Sequence, residues 1–228
     1  AGVEKILGVA MSVVSQERIL EICGTHEVLY PALGIHPQEV ENNPNVEEQM
    51  GSVVKLIETH EEELVAIGEI GLDHHFVKDS TLYPLQERIF KKMLGLAQDL
   101  ELPVNLHVKG AEEKVWEILP SFDLPSVNIH WYSGPEACLK QGIERGYYFS
   151  ITPAVKYSPP VKKAVKRVDV EHLLLESDGP VKYSGETGTP AMIKDTLSTI
   201  AKLRKANLED LRAQIEQNTR TIFPRLFS

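Results

Sequence analysis

Short apolar runs rich in Val, Ile and Leu alternate with amphipathic helical patterns from one end of this chain to the other, and no other feature narrows its fold as far. "EKILGVA", "VLYPALGIH", "LVAIGEIGLD", "PVNLHV", "SVNIHW", "YYFSI" and "HLLLESD" read as strands. They show little of the in-out alternation expected of half-exposed strands. That is the composition of parallel strands buried on both faces. Between them lie helical patterns at 15–24, 46–61, 84–101, 111–119, 135–146 and 159–168, and two more, 191–205 and 208–221, close the chain. Ser15 and Asn207 are expected helix caps and Gly24 an expected stop. Unbroken strand–helix alternation means βαβ units.

The chain has 228 residues and no linker, low-complexity segment or short repeat, so residues 1–228 are expected to form a single domain. A TIM (β/α)8 barrel needs eight strands and usually about 250 residues. About seven strand-like runs are present. The chain opens without Met and enters "AGVEKIL" at once, so the absent unit is expected to be the first strand, upstream of Ala1. An open doubly wound sheet is the structural alternative, weakened because no Gly-rich phosphate fingerprint follows the first run.

Composition excludes several function classes. A net charge of −9 argues against a standing basic surface for nucleic acid, but not against a site where metal ions meet phosphate. Two cysteines, Cys23 and Cys138, make no disulfide framework, and a reduced cytoplasmic setting is expected. No apolar run approaches the roughly 18 residues that span a bilayer. Neither a membrane nor an obligate protein partner is expected.

The informative pattern is positional. His36, His107, His130 and Asp178 each end an apolar run, and Glu69 and Asp73 lie near the end of another. In a barrel, all strand C-termini meet at one mouth, which holds the active site. Histidines and carboxylates gathered there are ligands for a divalent metal. One His alone would more often be a packed core residue and one Asp a helix cap. Five different strand ends are hard to explain by capping, because His caps poorly and is costly to bury without a partner. Metal-assisted hydrolysis is therefore expected. Glu69 is suited to bridge two ions, since a carboxylate has two oxygens. His107 and His130 would complete one shell. Asp178 would bind the other ion, accept the proton of the attacking water, or both.

The blocks "AGVEKIL", "ALGIHP", "AIGEIGLD", "LPVNLH", "IHWYSG" and "LLESDGP", in this order, resemble those of the TatD family of metal-dependent deoxyribonucleases, among the amidohydrolase-like hydrolases. The resemblance runs through almost the whole chain. It implies a TIM barrel and a phosphodiesterase site holding two divalent ions, Mg, Mn or Zn. Glu69 resembles the bridging carboxylate, His107 and His130 metal ligands, and Asp178 the metal-binding, water-activating aspartate. His36 in "GIHP" resembles the histidine beside the scissile phosphate. The implied substrate is DNA or a nucleotide-like phosphodiester.

Three departures bear on these roles. The family's D-x-H-x-H motif on the first strand has no match here, which fits the strand not found. "HVK" replaces His-Ser-Arg, so Lys109 keeps the charge at a substrate position but loses the bidentate fork. His74 stands where an aromatic ring commonly follows "GLD" and is expected to face the substrate. Asp73 is expected to order the loop or support a ligand, with a direct role left open. A DHH-type phosphoesterase reading of "LDHH" fails for want of upstream aspartates.

Trp131 and Tyr132 are candidates for base stacking or for rim packing, and Lys182 and Tyr183 for phosphate contact or plain solvation. His26, His60, His172, Cys23 and Cys138 are expected to be structural or solvated. The competing functions are a hydrolase of the same fold acting on an amide or lactone, and a non-catalytic binding module.

Overall fold

The computed structural model describes residues 2–228, which fall into two compact units. The first is built on Lys5–Val127 with Phe223–Ser228, the second on Asn128–Ile222 with residues 2–4. No helix among the described residues is long and apolar enough to cross a membrane.

The first unit carries β1 (Ile6–Val9), β2 (Leu29–Leu33), β3 (Ala66–Asp73) and β4 (Val104–Lys109), each parallel to the next. Helices α1 (Gln16–Thr25), α2 (Glu39–Asn42), α3 (Val46–Thr59) and α4 (Tyr83–Asp99) lie between them in the chain, and α5 (Glu112–Ile118) follows β4. All eight residues of β3 are buried. This is the two-sided covering that its unalternating sequence predicts. Helix α4 packs on β3 and buries Ile89, Phe90, Met93, Leu94 and Ala97 at spacings of three and four. Each of these side chains except Ala97 contributes roughly 1.5–3 kcal/mol by leaving water. The C-terminal Arg225 returns to this unit and donates to the carbonyls of Glu61 and Leu64.

The second unit carries the parallel strands β5 (Val127–His130), β6 (Tyr148–Ile151) and β7 (Leu173–Leu175), paired in sequence order. A short antiparallel hairpin follows, β8 (Lys182–Tyr183) with β9 (Glu186–Thr187). Its helices are α6 (Glu136–Glu144), α7 (Pro159–Arg167), α8 (Ile193–Arg204) and α9 (Leu208–Ile222). The buried amide of Asn218 in α9 donates to the carbonyls of Val170 and Leu173, which holds the entry to β7.

The expected strands and long helices are all present, with small corrections. Helix α1 runs one residue past Gly24 and is closed by His26. Ser15 does not cap it. Its hydroxyl oxygen instead accepts the N–H groups of Met11 and Ser12 in the preceding turn. Asn207 does cap α9, accepting from the N–H groups of Glu209 and Asp210. Strand β7 ends at Leu175, so Asp178 stands three residues beyond it. Helix α2 and the β8–β9 hairpin carry no periodicity and were not expected.

Candidate active site

Strand β3 brings Glu69 into the first unit's cluster through an irregularity. Gly68 pairs with Asn105 and Ile70 with Leu106, so Glu69 is an extra residue in the ladder. A bulge of this kind re-aims the side chain it carries. The glycines beside it are required by close approach. Gly71 has φ +148°, and a Cβ there would overlap the His107 carbonyl oxygen. A Cβ on Gly34, after β2, would lie 2.7 Å from Ile70 Cγ2 and 2.9 Å from the Gly68 carbonyl carbon.

Glu69 is nearly buried, so its charge requires partners. Its Oε1 lies 3.1 Å from His107 Nδ1 and 3.4 Å from His36 Nε2. The other ring nitrogen of His107, Nε2, lies 2.9 Å from Asp73 Oδ2. His107 thus sits between two carboxylates, a pattern in which one carboxylate orients a metal-ligating ring from behind. Asp73 is fully buried, and its Oδ1 accepts the N–H groups of His75 (2.8 Å) and Phe76 (2.7 Å). Burial alone would raise the Asp73 carboxyl. The His107 hydrogen bond, the two backbone N–H groups and the His107 charge outweigh it and hold the group below the usual carboxylate range.

The cluster fits a divalent cation. His36, Glu69 and His107 each offer a ligand atom, and these atoms lie within 4.8 Å of one another. The three are not equivalent. The Gln38 N–H donates to His36 Nδ1 at 3.2 Å, so in a neutral ring Nε2 carries the hydrogen. That geometry makes His36 a hydrogen-bond donor, whereas Glu69 and His107 present acceptor and ligand atoms.

Gln86, buried in α4, is a contributor that no sequence pattern marks. Its Oε1 accepts the Asp73 N–H, and its Nε2 donates to the carbonyls of Asp73 (3.0 Å) and Pro37 (3.1 Å). One amide therefore ties the end of β3 to the turn that follows His36. Lys109 is the last residue of β4, and its carbonyl accepts the His74 N–H. His74 stacks on Tyr83 with ring centroids 3.6 Å apart and 15° between planes. Its Nε2 is buried with no hydrogen-bond partner among the described residues. Burial pulls this imidazole below its ordinary value, against the opposing charges of Asp73, Glu87 and Glu112.

In the second unit His130 closes β5, and its Nδ1 lies 3.2 Å from Glu176 Oε2. Glu176, two residues before Asp178, went unmarked in the sequence because "LLLESD" offers two carboxylates and periodicity favours neither. Asp178 has φ +41°, in the left-handed region that Asp tolerates better than most residues, and its carbonyl accepts the Val181 N–H. Tyr183 donates its hydroxyl to the Ser177 carbonyl. Burial, reinforced by the nearby Asp178 and Glu176 charges, pushes that hydroxyl far above its ordinary value. Its ring lies 5.6 Å from Trp131. Tyr132 is a packing residue: it is buried, donates to the Pro135 carbonyl and meets Phe149 edge-on. His172 packs against Tyr148. His60 pairs with Glu63 at the surface, His26 is exposed at a helix end, and Cys138 is buried in α6.

The family model for TatD-related DNases matches residues 1–224. An uncharacterized metal-dependent hydrolase of Methanocaldococcus jannaschii is 35% identical over 210 residues, 91% of this chain and 80% of that protein. The 3'-5' ssDNA/RNA exonuclease TatD of Salmonella typhimurium is 27% identical over 240 residues, covering 100% of this chain and 90% of that one. Among solved structures, the TatD homolog YjjV of Escherichia coli superposes with a TM-score of 0.86 at 27% identity, over 98% of this chain and 87% of its own. The fold class is accordingly the α/β barrel expected from the strand–helix order, with seven parallel strands among the described residues.

Proposed function

Since this chain belongs to the family of TatD-related DNases, and is thereby a metal-dependent hydrolase, we propose that the bond it cleaves is a phosphodiester of DNA or of a nucleotide-like substrate. The observation that carries this reading is the Glu69–His107 pair, two ligand-type groups held 3.1 Å apart in a buried setting with Asp73 behind the ring. The nuclease name of the Salmonella relative supports the substrate class.

Two divalent ions, Mg, Mn or Zn, are the proposed cofactors. When bound they supply an acidified water, its pKa lowered from 15.7 toward roughly 7, and charge neutralisation for the phosphate. Glu69, with two carboxylate oxygens to offer, would hold both ions, and His107, His130 and Asp178 would complete the ligand set. Asp178 also takes up the proton of the attacking water on a carboxylate oxygen. His36 Nε2–H donates to a phosphate oxygen, a role favoured by the Gln38 N–H on its Nδ1. Lys109 brings a positive charge to the phosphate, and His74 contacts the substrate from the segment after β3. With a net charge of −9, attraction for DNA then depends on the ions rather than on the protein surface.

The test is a parallel assay of the protein with Mg, Mn or Zn on a labelled DNA oligonucleotide and on amide and lactone substrates. Metal-dependent release of nucleotides or shorter fragments is expected. Hydrolysis of the amide or lactone with the oligonucleotide left intact would overturn the DNA assignment.

A further inference from the structure

Glu176, half-buried, is the hub of a one-directional hydrogen-bond array at the end of β5. Its Oε2 accepts the Ser150 hydroxyl at 2.7 Å and faces His130 Nδ1 at 3.2 Å. Its Oε1 accepts the Trp131 backbone N–H at 2.9 Å. Ser150 in turn accepts the Asn128 amide at 3.0 Å, which leaves its own hydrogen for Glu176. A carboxylate only accepts. The Trp131 N–H can only donate, so the array cannot run the other way. His130 Nδ1 must therefore carry a hydrogen, and in the neutral ring the lone pair falls on Nε2.

The backbone tells the same story. Trp131 has φ +40°, a left-handed conformation that bulky residues rarely adopt. Such a residue persists where its surroundings over-determine it. The Trp131 N–H bond to Glu176 is one such constraint, so a single carboxylate holds both the ring of His130 and the turn that follows it.

We propose that Glu176 is a positioning residue that locks His130 in the Nδ1–H tautomer and thereby presents Nε2 to a divalent ion. The inference rests on the reading of His130 as a metal ligand. Glu176→Gln makes a sharp probe. The amide oxygen would remain on the Trp131 N–H, turning the NH2 group toward His130. Nδ1 would then face a donor, and the ring hydrogen would move to Nε2.

Two measurements on metal-free protein test this. Long-range 15N–1H correlation of the histidine rings is expected to show His130 as Nδ1–H in the wild type and Nε2–H in Glu176→Gln. Calorimetric titration with Zn2+ is expected to show binding weakened roughly 10–100-fold in Glu176→Gln, with His130→Ala weakened at least as much. If His130→Ala binds Zn2+ as the wild type does, the ligand reading fails and the inference with it. If His130→Ala loses Zn2+ while Glu176→Gln binds normally, only the positioning role of Glu176 is overturned. A wild-type ring in the Nε2–H form overturns it too, whether or not the variant folds.

Discussion

His107 Nε2 lies 2.9 Å from Asp73 Oδ2 while its Nδ1 faces Glu69 Oε1 at 3.1 Å. The ring is thus gripped on one edge by a carboxylate whose other oxygen is committed to the N–H groups of His75 and Phe76. Asp73→Asn should keep those backbone bonds through its amide oxygen and turn its NH2 group toward His107. The expected result is a folded protein whose metal affinity falls roughly 10–100-fold. Isothermal titration with Zn2+ beside a circular dichroism spectrum reads both, and unchanged affinity would remove Asp73 from the site.

Glu69→Ala and His107→Ala should each abolish hydrolysis while leaving the fold intact. Metal linkage separates loss of ligand from loss of structure. A ligand at 100 times its dissociation constant stabilises the native state by about 2.7 kcal/mol. The wild-type melting temperature should therefore rise with added Zn2+ and fall back with EDTA, whereas neither variant should respond. A wild-type-sized shift in both variants, or full activity in both, would place the metal elsewhere.

Gly71→Ala should be among the most damaging single changes in the chain. Its φ of +148° and the overlap of any Cβ with the His107 carbonyl leave no room on either count. A loss of about 4–5 kcal/mol or more is expected, the exceptional end for point mutants. Denaturant unfolding measures it, and a loss below about 1 kcal/mol, the ordinary central value, would show that β3 and β4 can separate at low cost.

Tyr183 carries a pH signature. Its folded-state value lies above the ordinary tyrosine value because burial, with Asp178 and Glu176 close by, opposes the phenolate. A group raised on folding contributes stability that is fully present below its unfolded value, about pH 10, and is lost as pH rises toward the folded one. Wild-type stability should therefore fall more steeply above about pH 10 than that of Tyr183→Phe, which cannot ionise. Urea midpoints at pH 8 and above 10 compare the two, and equal alkaline slopes would refute the assignment.

Much of this was legible in the residues because burial on both faces leaves a plain mark. The strand from Ala66 to Asp73 has almost no polar side chains except the two that matter, so Glu69 and Asp73 stand out from their own surroundings. Their division of labour was less legible, since it depends on a bulge that shifts register by one residue between Gly68 and Ile70. Gln86 was invisible for a different reason. It is one polar residue on the buried face of an otherwise ordinary amphipathic helix, and its partners lie 13 and 49 positions away. Glu176 was hidden by its neighbour Asp178. Only the pairing of β5, β6 and β7 shows that His130, Ser150 and Glu176 converge. The β8–β9 hairpin is two residues a side and too short for any period to register.

The amide of Gln86 has a practical consequence for redesign. It clamps Asp73 to the first turns of α4, so the stretch from His74 to Leu82 is a bridge whose two ends are already fixed to each other. Closing a longer bridge between fixed ends costs only about 0.6 kcal/mol for each doubling of its length. The exposed residues of that stretch, Phe76 among them, can therefore be varied or the stretch lengthened, provided the N–H groups at positions 75 and 76 stay on the Asp73 carboxylate behind His107. A graft placed there should vary the surface next to Asp73 while keeping the Asp73–His107 contact in place.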